Sequence, residues 1–190
     1  MQDLFFSSKA AFVNHDQICE ILKEAKIEDS NLLTQLLCAL RHKEKSVIIG
    51  ASLVLGRLKD ERAVPSLIRA FLTTDREVGA AVAWALGQCQ SPCAVPFLSM
   101  AVQKGFVVSN ACEALGQVGS TDALPILFST LKSIHEDERV FAAKALGQLA
   151  QNCGRCERDR ILESLAPLST DSSRKVRMSA AVASEKTKNN

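Results

Sequence analysis

Cys153-Gly154-Arg155-Cys156 places two thiols at a spacing that suits chemistry. Such a pair can ligate a metal or cycle between dithiol and disulfide. Zinc would need a second such pair within reach, and redox work would need a strand–helix–strand setting. Neither context is legible, so a local disulfide under oxidation is the chemistry left to it. His135-Glu136 is a lone His-Glu pair, and a metal needs several convergent ligands. His15, His42 and His135 lie in separate segments, with no serine and acid arranged around them. The glycines form no phosphate-cradling loop. The charged run 156–163 reads as the solvated start of a helix.

What must position these residues is a helical framework. Hydrophobic residues make up 47% of the 190 positions but only 5% are aromatic, with no tyrosine and a single tryptophan, Trp84. A core of Ala, Leu, Val and Ile suits closely packed helices. The formal net charge of +2 argues against nucleic acid or acidic membranes as partners. The seven cysteines are odd in number, and Cys19, Cys38 and Cys112 sit inside apolar helical stretches as small apolar residues. This is the usage of a reducing compartment, and a cytoplasmic location is expected. The N-terminus lacks the basic region and apolar run of a secretory leader, and no stretch approaches the roughly twenty apolar residues of a membrane span.

One phrase recurs four times: LVLG ending at Gly56, WALG at Gly87, EALG at Gly116 and KALG at Gly147, spaced 31, 29 and 31 residues apart. In the first three copies a proline follows nine residues later, at Pro65, Pro96 and Pro125. A period near thirty of helix-forming residues predicts an α-solenoid. One residue before each glycine stands Leu55, Leu86, Leu115 or Leu146, and five before stands Ala51, Val82, Ala111 or Ala142. Nine before stand Val47, Val78 and Val107, until Glu138 breaks the row. These offsets fall on one stripe of a helix, helix A. Its glycine is expected to serve the turn at the helix end. Asp60, Ser91 and Ser120 then stand as N-caps, and the prolines sit where a helix start tolerates them. Helix B follows, with Leu67, Ile68 and Phe71, then Leu98 and Val102, then Leu127, Phe128 and Leu131 pointing inward. Neither helix can bury its stripe alone, and stacking successive pairs buries it. Two repeats separate Cys89/Cys93 from the CxxC by about 20 Å, because helices pack roughly 8–10 Å apart, so the two thiol pairs cannot share one ion.

The flanks extend the pattern. Residues 31–45 match helix B one period earlier, and 16–26 would be the helix A before it. Residues 161–167 form a last helix B, and 172–186 one more helix A with a frayed tail. The expectation is one domain over 1–190: an atypical N-terminal cap over 1–45, regular repeats over 46–165 and a C-terminal cap helix over 172–186. The fold class is all-α, a right-handed superhelix of about five helix pairs.

The units VGAAVAWALGQCQSPCAVPFL and VVSNACEALGQVGSTDALPIL resemble the HEAT-like repeats named after phycobilisome lyases. The resemblance covers at least residues 47–165 and is specific for fold, weak for function. That class includes bilin lyase subunits, deoxyhypusine hydroxylase, helical-repeat DNA glycosylases and non-catalytic adaptors. Resemblance to deoxyhypusine hydroxylase would imply His-Glu pairs seven and six residues before the glycine; this chain has Ile49-Gly50, Ala80-Ala81, Ser109-Asn110 and Val140-Phe141 there. That reading is rejected. A glycosylase would imply a basic stripe and an aromatic pocket, and helix B carries few cations, mainly Arg69, Lys104 and Lys132. A bilin lyase subunit remains the alternative function, with Cys89 or Cys93 as the thiol that would hold a bilin. Either cysteine reads more simply as a small residue.

Apolar residues stand where polar ones are expected. One and four residues past the helix B prolines come Ser66 and Arg69, Phe97 and Met100, Ile126 and Ser129, all predicted to face outward. Phe97, Met100 and Ile126 would form an apolar patch on a concave surface lined by B helices. Three residues before the motif glycines stand Leu53, Trp84, Glu113 and Lys144, so Leu53 and Trp84, with Ile49, make a second patch. Patches of this kind mark binding surfaces. Adjacent helices or a homo- or hetero-dimer mate covering them is the competing reading. The function expected is a non-catalytic protein-binding scaffold that needs no metal or cofactor. It would grip a protein partner through Phe97, Met100 and Ile126, rimmed by Arg69 and Lys104.

Overall fold

The computed structural model describes residues 30–72 and 75–189. The expected helix over 16–26, with His15 and Cys19, lies outside these residues. Among the described residues ten α-helices follow one another: α1 (Ser30–Ala39), α2 (Lys45–Leu58), α3 (Val64–Phe71), α4 (Arg76–Cys89), α5 (Val95–Gln103), α6 (Val108–Val118), α7 (Leu124–Thr130), α8 (Glu136–Leu149), α9 (Arg155–Leu165) and α10 (Arg174–Lys188). Odd-numbered helices are the B helices of the repeat and even-numbered ones the A helices. No strand occurs among the described residues. The chain is an all-α solenoid.

Each A helix packs along the next, α2 on α4, α4 on α6, α6 on α8 and α8 on α10. Each B helix approaches the A helix after it more closely than the A helix before it. The described residues thus form five B–A hairpins. The motif leucines Leu55, Leu86, Leu115 and Leu146 are fully buried, as are Leu67, Leu98, Leu127 and Ile161 on the B helices. They form one continuous apolar core, within which a fully buried leucine contributes about 1.5–3 kcal/mol over its exposed state.

The motif glycine plays a different part from the turn expected of it. It lies inside helix A, two residues before the last helical residue of α2, α4, α6 and α8. The left-handed residues that turn the chain come three positions later, at Lys59 (φ 53°), Gln90 (φ 52°) and Gly119 (φ 71°). The glycine is needed for close approach. A Cβ at Gly56 would stand 2.9 Å from Ala85 Cα, one at Gly87 2.9 Å from Ala114 Cα, and one at Gly116 2.8 Å from Ala145 Cα. Each motif glycine therefore receives the alanine two residues before the next motif glycine. Ala-Leu-Gly is a self-complementary edge, and its repetition builds the row of A helices.

Local chemistry sets the helix starts. Asp60 accepts from the Arg62 N–H and Ser120 from the Asp122 N–H, opening short 3-10 turns that lead into α3 and α7. Ser91 makes no such bond, and Pro92 at the next position supplies the turn geometry instead. Pro65, Pro96 and Pro125 are each the second residue of a B helix, where the missing N–H costs nothing. Val107 enters α6 with φ 41°, strained for a β-branched residue. It is held there by Phe106, which lies against Gly79 and stacks edge-on to Phe71 at 5.8 Å.

The C-terminal end differs from expectation. The segment expected to fray is helical to Lys188, because Thr187 is buried and its hydroxyl donates to the Ala183 carbonyl at 2.8 Å. Ala183 packs on Gly147 as Ala85 packs on Gly56, which aligns Glu185 with the motif glycine. A glutamate thus stands on α10 where the preceding A helices carry the motif glycine.

Ion pairs join the A-helix starts. Lys45 pairs with Asp75, and Arg139 forms a two-pronged pair with Asp171 at 2.8 and 2.9 Å. The Arg139 guanidinium holds the Asp171 carboxyl below the usual carboxylate range, and Lys45 does the same for Asp75. A carboxylate held low stabilises the fold above its unfolded pKa, and that contribution disappears as pH falls through the folded value. Arg139→Gln is therefore expected to lower the melting temperature at pH 7, with the gap to wild type closing below about pH 4. Thermal melts of both proteins between pH 7 and 3 check this. A gap that stays constant with pH would mean that Arg139 acts through packing alone.

Candidate partner-binding face

The residues expected to form the first patch lie on two neighbouring B helices. Phe97 and Met100 lie one turn apart on α5, both half-buried, and Ile126 lies half-buried on α7 against the core. Helices α5 and α7 pack side by side, and Phe97 and Ile126 each follow the helix proline, so they share one register. Arg69, exposed on α3, and Lys104, exposed at the end of α5, flank them. The continuation on α9 is Arg160, whose guanidinium stands 5.8 Å from the centre of the Phe128 ring.

The second patch is drawn into the structure itself. Trp84 packs against the core, and its ring covers the backbone of Gly56 in the preceding A helix. It fills the gap that the absent side chain leaves. Leu53 is half-buried on α2. These two residues stand on A helices, apart from the B-helix register.

The thiols separate by burial. Cys89, Cys112 and Cys153 are buried, and Cys38, Cys93 and Cys156 are exposed. Cys38 thus departs from the small-core role expected of it: its position on α1 faces solvent. Burial pushes the Cys89 thiol up to about 11 and the Cys112 thiol up to about 12, so both stay protonated and unreactive at neutral pH. Of the two thiols considered for holding a bilin, Cys89 is therefore poorly suited and Cys93 is accessible. The CxxC is split, with Cys153 buried before α9 and Cys156 exposed in its first turn. Among the described residues no cluster of His, Cys, Asp and Glu could hold a metal ion. No described helix is long and apolar enough to cross a membrane.

Exposed apolar residues also occur where sequence reasoning did not place them. Met178 and Val182 on α10 are 57% and 52% exposed. They stand seven and three positions before Glu185, the same offsets as Ile49 and Leu53 before Gly56. Aligning α10 through Ala183 is the signal that finds them.

A family model for HEAT repeats matches residues 32–109. No curated protein matches the chain. Among solved structures, a designed armadillo repeat protein in complex with the peptide (KR)4 superposes with a TM-score of 0.68 at 17% identity, covering 93% of this chain and 87% of that one. Two engineered proteins superpose with TM-scores of 0.64 and 0.58, at 20% and 22% identity; they cover 92% and 93% of this chain and are themselves covered over 84% and 87%. At these identities the likeness is one of fold. The protein is an α-solenoid, and its residues 32–109 are similar to HEAT repeats.

Proposed function

We propose that the protein is a non-catalytic scaffold that holds a protein partner on its B-helix face, anchored by Phe97, Met100 and Ile126 and rimmed by Arg69 and Lys104. The observation that carries this reading is the register: large apolar side chains stay partly open to solvent at matching positions of neighbouring helices. Stacking the repeats leaves them partly uncovered among the described residues, because the inward stripe of each B helix is already satisfied by the following A helix. The fold supports the reading, since solenoids present extended surfaces. The designed armadillo relative is in complex with a peptide.

A displayed library of random linear peptides tests the proposal. Peptides enriched on the wild-type protein should bind the Phe97→Asp, Met100→Asp double variant at least about ten-fold more weakly, since buried hot-spot contacts cost 2 kcal/mol or more when lost. Far-ultraviolet circular dichroism and the melting temperature should stay unchanged, because both side chains are already part-solvated. Selected peptides that ignore both substitutions would move the docking surface elsewhere. A bilin-lyase role would show as a shifted visible absorption band on mixing with a bilin, abolished by Cys93→Ser.

A further inference from the structure

Helix α10 has an A helix before it and none after it among the described residues. The difference from its siblings shows which of its positions face forward along the row. Four residues before the motif glycine, Ser52, Ala83, Cys112 and Ala143 are fully buried. The matching residue on α10, Ala181, is exposed, as is Glu185 in the glycine's place. Arg174, Met178, Ala181, Glu185 and Lys188 follow one another at spacings of four, three, four and three, so they share one stripe of the helix, and all are exposed. Arg177 and Val182 border this stripe on opposite sides.

Arg177 repeats half of a contact that joins two repeats. Arg139 donates from Nη1 to the carbonyls of Ser133 and Ile134, six and five residues back, at 2.9 and 3.2 Å. Its Nε and Nη2 hold both carboxylate oxygens of Asp171 in the following repeat. Arg177 donates from Nη1 to the carbonyls of Asp171 and Ser172, also six and five residues back, at 2.7 and 3.0 Å. The same grip orients its guanidinium. Neither Arg177 nor Arg174 nor Glu185 forms an ion pair among the described residues.

The face is complementary to itself. At 1.5 Å per residue its apolar centre, Met178, Ala181 and Val182, lies about 7 Å along the axis from Glu185. It lies about 7 Å in the other direction from the turn that holds Arg174 and Arg177. An antiparallel copy therefore brings each Glu185 level with the other copy's two arginines, and the long Met178 against the small Ala181. It also brings Lys188 level with Asp171. Lys175, which pairs with Glu136, and Lys186 lie off the stripe. Helix α9, packed beside α10, holds three cations and three acids and adds no net charge.

We propose that a second copy of this chain docks antiparallel across α10 to form a two-fold dimer, with Met178 of each copy seated on Ala181 of the other and Glu185 of each copy between Arg174 and Arg177 of the other. The seam lies on an A helix, so it is independent of the docking reading above, and the dimer carries two B-helix faces. Sedimentation equilibrium of the full chain between about 10 μM and 1 mM tests it, a range suited to the small area one helix pair buries. A reversible monomer–dimer equilibrium is expected. Glu185→Arg sets cation against cation and should weaken the dimer at least about ten-fold. Arg174→Glu with Arg177→Glu sets acid against acid and should do the same. Equal amounts of the two variants should restore the dimer on mixing, because every cation then meets an acid. Recovery on mixing also shows that both variants are folded. Arg174→Glu alone, which keeps the carbonyl bonds of Arg177, takes the second role if circular dichroism shows the double variant unfolded. A chain that stays monomeric at 1 mM, a dimer indifferent to both reversals, folded variants that stay apart on mixing, or growth beyond the dimer would overturn the proposal. So would a dimer that Phe97→Asp with Met100→Asp abolishes and Glu185→Arg spares, since its seam would be the B-helix face. Peptide docking is read separately by the library selection, so either reading can fail alone.

Discussion

Leu115→Ala is expected to destabilise the protein by about 2–5 kcal/mol, the range for deleting a fully buried leucine side chain. Leu115 sits on α6, at the middle of the A-helix row, with α4 on one side and α8 on the other. Its neighbours are held by repeated contacts on both flanks, so the site cannot collapse readily onto the missing volume. Its carbonyl also receives the Gly119 N–H that closes the helix, and that bond is untouched by the substitution. The loss should therefore be one of packing. In a solenoid each unit couples mainly to its neighbours, so the damage should be local. Hydrogen exchange should speed up in α5 and α6 before α9 and α10. Chemical denaturation measures the energy. A uniform loss of protection along the whole chain would mean that the repeats fold as one indivisible unit.

Gly116→Val should cost roughly 3 kcal/mol and lower the melting temperature by about 6–12 °C. A side chain at 116 meets the Ala145 backbone at 2.8 Å and the Ala145 Cβ at 3.1 Å. Gln148 Oε1 lies nearer still, at 2.6 Å, but a flexible side chain can swing away. Backbone cannot, so α6 and α8 must part along their length. The sign is the informative part, since glycine inside an isolated helix is worth about 1 kcal/mol less than alanine. Gly50 provides the internal control. It lies within α2 with no described residue within 4 Å of an added Cβ, and Gly50→Ala should stabilise by up to about 1 kcal/mol. Opposite shifts at the two glycines, read in the same thermal melt, would assign the motif glycine to helix–helix approach. A Gly116→Val protein that melts with the wild type would refute the close row.

Much of this architecture is legible in one sequence because a repeat states its pattern several times over. The leucines before Gly56, Gly87, Gly116 and Gly147 recur at a helical period, and a position that stays apolar in four copies has to face the core. The prolines at 65, 96 and 125 mark helix starts for a reason local to proline. Phe97, Met100 and Ile126 were placed outward by the same periodicity, since their offset from Leu98 and Leu127 leaves no other direction.

What the sequence could not decide is which neighbour each side chain meets. Periodicity assigns a residue to a face of its own helix, but contact depends on the distance and angle of the next helix. Glycine in ALG therefore read as a turn residue, whereas the turn falls to Lys59, Gln90 and Gly119, and the glycine accepts an alanine from the following repeat. Trp84 read as a free aromatic, whereas its ring covers Gly56. Cys38 and Cys112 look alike in sequence, and only packing separates an exposed thiol from a buried one. The pattern along one chain determined the elements and their inward stripes, because those follow from local backbone geometry. The tertiary structure alone decided the surface, because exposure is what remains after neighbouring repeats have covered the rest.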